Sequence, residues 1–269
     1  MSLLPLSAAP RAVLAGFTAV LTDIDDTLTL NGRLPPKAFA ALDRLQRAGL
    51  KVIAVTGRPA GWCDHIARQW PVDGVAGENG AFYFRHDDQR RKMIRVYAQP
   101  MAERLANAAK LREIALRVLN KFPGTAIASD QAYRETDVAI DFCEDVAPLP
   151  RATAQKIAEA FAAEGAVAKV SSIHVNAWFG SHDKLTMSRR ILAEAFEIDS
   201  EKDVEKIAYC GDSPNDAPMF GYFPNGIGVA NIAPFAEMME HLPRYVTKAE
   251  GGFGFAEFAD AVLTARGAR

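Results

Sequence analysis

Phe17-Thr18-Ala19-Val20-Leu21-Thr22-Asp23-Ile24-Asp25-Asp26-Thr27 is the stretch on which the fold turns. Residues 17–22 are apolar or β-branched, and carboxylates follow at once, so they read as a buried strand whose carboxyl end is polar. Beyond it, Pro35 and Pro36 open a helix to residue 48. Phe39, Leu42 and Leu45 share one face of it, and Gly49 stops it. Residues 52–55 form a second buried strand, closed by Thr56-Gly57-Arg58-Pro59. A helix to residue 70 and a short strand at 74–76 follow. This β-α-β-α-β alternation predicts an α/β fold: a doubly wound parallel sheet with right-handed crossovers.

The alternation then lapses. Residues 81–84 and 93–97 flank the polar tract 85–92 and read as a hairpin. A long helix is expected over 101–121, with strands near 126 and at 138–142 and a helix over 151–164. Short β-rich runs follow at 166–170 and 173–175. From Asp183 the first pattern returns: a helix to 196, a strand at 206–210, a helix near 217, a strand at 226–229 and a last helix from Phe255. The expected organisation is a catalytic core made of residues 1–85 and 181–269, interrupted by an α+β cap over 86–180 that selects substrate.

The 269 residues suffice to bury a core without disulfide or metal staples. A formal net charge of −2 argues against a sequence-independent nucleic-acid binder, which needs a basic field. Cys63, Cys143 and Cys210 are odd in number and far apart, which gives neither a disulfide framework nor a zinc site. Reduced thiols in a cytoplasm are the expectation. The apolar run 13–21 is too short to span a bilayer, and no basic segment precedes it. The expected partner is a small molecule, not nucleic acid or membrane, with the chain a monomer or homodimer.

Candidate chemistry collects at strand ends, where open α/β sheets bind ligands. In extended chain Asp23 and Asp25 share a face, and two carboxylates so close call for a cation or a shared proton. Hard oxygen donors suit Mg²⁺. On these residues alone a solvated acidic turn is an equal reading. Gly211-Asp212-Ser213-Pro214-Asn215-Asp216 ends another apolar strand, so Asp212 and Asp216 can meet Asp23 and Asp25 around one ion. Helix capping explains the same residues and excludes nothing. Thr56 and Gly57 offer a hydroxyl and a close backbone approach to a phosphoryl oxygen. Arg58 can touch substrate or a neighbouring acid. Lys184 by itself reads as a surface lysine. In Ser171-Ser172-Ile173-His174-Val175-Asn176 the polar residues alternate, which puts His174 with Ser172 and Asn176 on one face, either toward substrate hydroxyls or toward solvent.

Taken together, D-x-D-x-T at 23–27, Thr56, Lys184 and G-D-x-x-N-D at 211–216 resemble the haloacid dehalogenase superfamily of phosphohydrolases. The branch most similar is subfamily IIB, with its large α+β cap, which includes sucrose-phosphate and mannosyl-3-phosphoglycerate phosphatases. Gly77-Glu78-Asn79-Gly80-Ala81 and Gly251-Gly252-Phe253-Gly254 also look like that branch, whereas Asp26 stands where many members have Gly. The resemblance implies a Mg²⁺-dependent phosphatase of a small phosphorylated metabolite, a sugar or polyol phosphate, working through an aspartyl phosphate. Asp23 would be the nucleophile and Asp25 the acid and then the base. Thr56 and Lys184 would hold phosphoryl oxygens. Gly57, Arg58, Asn79, His174 and Asn215 would bind substrate. Mg²⁺ would lie at Asp23, the main-chain carbonyl of Asp25, and Asp212, with Asp216 a ligand or a carboxylate behind one. A phosphomutase of hexose phosphates and a non-catalytic phosphate sensor are the competing readings. An acid at position 25 favours turnover over mere binding.

Overall fold

The computed structural model describes residues 3–267. A nine-stranded sheet organises the larger part. Its strands are β1 (Leu4–Pro5), β2 (Ala19–Thr22), β3 (Lys51–Val55), β4 (Gly74–Gly77), β5 (Phe82–Asp87), β6 (Lys92–Tyr97), then β11 (Ile207–Gly211), β12 (Asn225–Gly228) and β13 (Tyr245–Val246). They run in the order β1-β13-β12-β11-β2-β3-β4-β5-β6. Pairing is parallel from β1 to β4 and antiparallel from β4 to β6. The register pairs Thr22 with Cys210, so the acidic sequences that follow β2 and β11 emerge side by side at one edge.

Every residue of β2 is buried, as helices on both faces of a parallel sheet require. On one face α2 (Pro36–Arg47) and α8 (Gly251–Arg266) pack Leu42, Leu45, Phe255 and Phe258 against Val20 and Val52. On the other, α6 (Lys184–Phe196) and α7 (Ala217–Tyr222) pack Met187, Ile191, Met219 and Phe220 against Leu21 and Ile53. The short α1 (Arg11–Gly16) lies beside α8, and α3 (Ala60–Gln69) covers β4 and β5.

A second sheet, antiparallel and four-stranded, is built from β7 (Ala126–Ile127), β8 (Val138–Asp141), β9 (Val167–Val170) and β10 (His174–Trp178) in the order β7-β8-β10-β9. Helices α4 (Met101–Lys121) and α5 (Arg151–Ala163) cover one face through Leu111, Ile114, Val118, Ile157 and Phe161. Val175 and Ala177 of β10 point into that apolar layer. Period-2 alternation therefore sends His174 and Asn176 to the opposite face.

Two expectations need correction. The division at residue 86 falls inside β5, and the whole 82–97 hairpin pairs into the nine-stranded sheet. Strand pairing therefore supports a cap that begins after Tyr97, at α4, not within the hairpin. The last helix begins at Gly251 rather than at Phe255. Its first turn carries glycines where the helix touches the chain after β2. A Cβ on Gly252 would stand 2.3 Å from the Leu28 carbonyl oxygen. Among the described residues, no helix is long and apolar enough to cross a membrane.

Candidate active site

Asp23 follows β2 directly, its N–H donating to the Cys210 carbonyl at 2.9 Å, so the main chain fixes the first carboxylate against β11. The second fixed point is the start of α6. Asp183 caps that helix in a reciprocal box with Thr186, which places Lys184 at its first turn. The Lys184 side chain is only 5% exposed, and its Nζ donates to Asp23 Oδ1 at 2.6 Å and to Asp216 Oδ1 at 2.8 Å. It is thus a buried bridge, not the surface lysine its sequence context alone suggests.

Asp216 is fully buried. Tyr209 donates to its Oδ1 at 2.5 Å, and the N–H groups of Asp212 and Ser213 reach its Oδ2 at 3.1 and 3.3 Å. Gly211 makes room for this return, since a Cβ there would meet Asp216 Oδ2 at 2.5 Å. With Lys184 included, four donors occupy a carboxylate that has about four acceptor sites. Asp216 therefore orients its neighbours. Asp212 is held by the Thr27 hydroxyl at 2.7 Å.

Carboxylate oxygens of Asp23, Asp212 and Asp216 lie within 4.8 Å of one another, all buried. Burial pushes the Asp23 carboxyl up, and Asp216 and Asp25 add to this against the pull of Lys184. Asp212 is raised by burial and by the charges of Asp216 and Asp23. Burial opposes the charge on Lys184, but Asp216 and Asp23 outweigh it and hold the ammonium ionised. Three carboxylates against one ammonium is an incomplete balance, of the kind a hard cation relieves.

The carboxylate of Asp25 lies outside this cluster. It turns to Arg58, whose Nε is 3.0 Å from both its oxygens and whose Nη2 is 2.8 Å from Oδ1. Any share Asp25 takes in holding a cation falls to its main-chain oxygen. Arg58 Nη2 also reaches Glu144 Oε1 of the cap at 3.1 Å, and Glu144 Oε2 is 2.9 Å from His174 Nε2. Glu144 is held down at about 2, first by His174 and then by Arg58 despite partial burial.

Asp23, Asp25, Gly57, Arg58, Asn79, His174 and Asn215 all line one cavity between the strand ends and the cap, together with Ser172 and Asn176. Six of the predicted residues thus converge there around Asp23. Thr56 does not line it. Its hydroxyl is fully buried and accepts from the Arg58 N–H at 3.0 Å, which shapes the turn instead. Asn79 holds a left-handed φ of 55° and is 6% exposed. Its Nδ2 has no hydrogen-bond partner among the described residues. An unpaired buried donor on a cavity wall is open to an acceptor in that cavity, a water or a ligand oxygen.

Residues 20–120 match the family model described as haloacid dehalogenase-like hydrolase. Solved structures align over nearly their full length. A Thermoplasma acidophilum protein is 17% identical with a TM-score of 0.68, covering 91% of this chain and 98% of its own. The sucrose-phosphatase of Synechocystis, solved with sucrose and phosphate, is 15% identical with a TM-score of 0.61, covering 91% and 97%. A subclass IIB sugar phosphatase is 15% identical with a TM-score of 0.60, covering 93% and 99%. Residues 20–120 thus resemble that family model, and the fold of the chain is similar to that of these solved structures. No curated protein matches it by sequence.

The site contains groups that the motif reading missed. Tyr209 shares a strand face with Gly211, so period 2 alone places it beside the Asp212–Asp216 turn. Glu78 is fully buried and accepts from the N–H groups of Ala60, Glu135 and Thr136 at 2.9, 3.0 and 2.7 Å, and from the Thr136 hydroxyl. Arg134 bridges Asp130, Asp137 and the Gly57 carbonyl. Glu78 meets the main chain at Glu135 and Thr136, and Arg134 the Gly57 carbonyl, only where the cap lies against the core, so no spacing rule joins those pairs.

Proposed function

We propose that this chain is a phosphoric monoester hydrolase that cleaves a small phosphorylated metabolite, a sugar or polyol phosphate, through an aspartyl phosphate on Asp23. One observation carries the reading. Asp23 is fixed by Lys184 beside two further buried carboxylates, and it opens onto a cavity whose wall holds the unpaired amide of Asn79. A binding site for phosphate has no use for a carboxylate at its centre, whereas a nucleophile does. The sugar-phosphate class rests on likeness to the Synechocystis sucrose-phosphatase and the subclass IIB sugar phosphatase.

In this reading the Asp23 carboxylate attacks phosphorus and the bond to the leaving oxygen breaks. Asp25 supplies that oxygen's proton and then accepts one from the water that releases phosphate. Arg58 aims the Asp25 carboxylate, and Asn79 and the Gly57 backbone receive phosphoryl oxygens. Lys184 positions Asp23 and favours its ionised form against burial. The donor set fits Mg²⁺, held by Asp23, Asp212 and the main-chain oxygen of Asp25. It would offset repulsion between the carboxylate and the anionic substrate.

Purified protein is expected to release phosphate from p-nitrophenyl phosphate with Mg²⁺ and to fall silent on chelation. Asp23→Asn is expected to stay folded by circular dichroism and to lose about 10³-fold or more in kcat. Undiminished turnover by Asp23→Asn would overturn the reading.

A further inference from the structure

Two cavities meet at the Asp25–Arg58 pair. The one over Asp23 has a volume of about 30 Å³. A water needs about 10–15 Å³ on such a measure, so this space holds a phosphoryl group and little else. The second lies on the far side of the pair, between α3 and the cap, with a volume of about 540 Å³. That is within the range of about 300–1,000 Å³ in which small-molecule sites fall.

Three aromatic side chains line it beside the aliphatic Ile24, Leu34 and Ile66. Trp62 is 43% exposed and Tyr133 57% exposed, and Trp70 is the third. The Arg58 guanidinium lies 4.5 Å from the Trp62 ring centroid, so the same side chain that aims Asp25 also braces this wall. Tyr133 comes from the cap and seats against Gly61, where a Cβ would stand 2.9 Å from its own Cβ. Glu144 and His65 add polar groups to the lining. Large aromatic faces left open in a concave site are ready for a ring to stack on them.

We infer that this cavity receives the leaving alcohol of the substrate, and that this alcohol carries a ring that packs on the exposed aromatic side chains of Trp62 and Tyr133. The inference rests on the hydrolase reading above. Asp25 stands at the boundary of the two spaces, where the leaving oxygen must be when its proton arrives. The phosphoryl group then fills the small cavity, and only the large one has room for the rest of the molecule.

The test compares p-nitrophenyl phosphate, which bears a ring, with acetyl phosphate, which bears none. Wild type, Trp62→Ala and Tyr133→Ala are assayed after melting curves confirm folding. The expected result is a fall of about fivefold or more in the ratio of kcat/KM for the ring ester to that for acetyl phosphate, chiefly through KM. Taking the ratio cancels damage common to both substrates. Tyr133, an exposed lining residue contributed by the cap, repeats the test should Trp62→Ala fail to fold. Hydrolysis of both compounds with the ratio unchanged in both variants overturns this inference and leaves the hydrolase reading standing. Inert wild type on both compounds overturns the hydrolase reading, and this inference with it.

Discussion

Lys184 is the residue on which the buried charge balance depends. It satisfies Asp23 and Asp216 at once, and each is at most 8% exposed by side chain. Removing one partner of a buried pair costs about 3–5 kcal/mol, because the other charge is left unpaired. Lys184→Ala is therefore expected to lower stability by that order in urea titration, and Lys184→Arg to recover less than half of the loss because its planar fork cannot replace a compact ammonium. A loss under about 1 kcal/mol for Lys184→Ala would show that the carboxylates are neutral without it. At this scale the motifs picked out side chains that the fold brings together: Asp23, Asp212, Asp216 and Lys184 in one buried cluster, and Asp25 beside it on Arg58. What they could not give was pairing. Asp25 meets Arg58 across 33 positions, and Arg58 meets Glu144 across 86, and such partners are set by the fold and not by local spacing. The same limit explains why Lys184 reads as a surface residue until the sheet is assembled.

The turn between β4 and β5 sets the position of α6. Glu78 and Asn79 both adopt left-handed φ, 44° and 55°, and Gly80 follows at 97°. A Cβ on Gly80 would fall 1.9 Å from the Asp183 carbonyl oxygen, at the cap of the helix that carries Lys184. Backbone contact is unyielding, so Gly80→Ala must displace the start of α6 as well as strain the turn. We expect a loss of about 2 kcal/mol or more in stability, and a larger fractional loss in kcat than Gly165→Ala, whose added Cβ meets nothing within 4 Å. Equal kcat in the two variants would mean that the turn does not position Lys184. Periodicity found the elements themselves well, α4 and α6 above all, because their apolar spacing is long and regular. It missed the two-residue strands β1 and β13, which have no period to read, and it began α8 late. The hairpin was visible as a hairpin, but which sheet it joins depends on β4, a neighbour that alternation cannot assign.

Cap and core are joined by charge more than by apolar contact, and this shapes how the whole molecule should respond to acid. Glu78 of the core receives the cap main chain at Glu135 and Thr136, and Arg58 of the core holds Glu144 of the cap. Glu144 lies at about 2 in the folded protein, against an ordinary value of 4.5, with His174 the largest cause and Arg58 next. A depressed carboxyl stabilises the folded state above its unfolded value and loses that contribution as the pH falls toward the folded one. The window is therefore pH 4.5 down to about 2. Between pH 7 and 5 the contribution stays constant, and below 4.5 the unfolded chain takes up the proton first. Because Glu144 is partly open to solvent, the effect is modest, and its signature is the slope and not its size. In Glu144→Gln that slope should vanish. The stability difference between wild type and variant, measured by urea titration, should hold steady from pH 7 to 5 and shrink from pH 4.5 to 3. A difference that stays constant to pH 3 would mean that Glu144 keeps its ordinary proton affinity and that the Arg58 bridge does not tie cap to core.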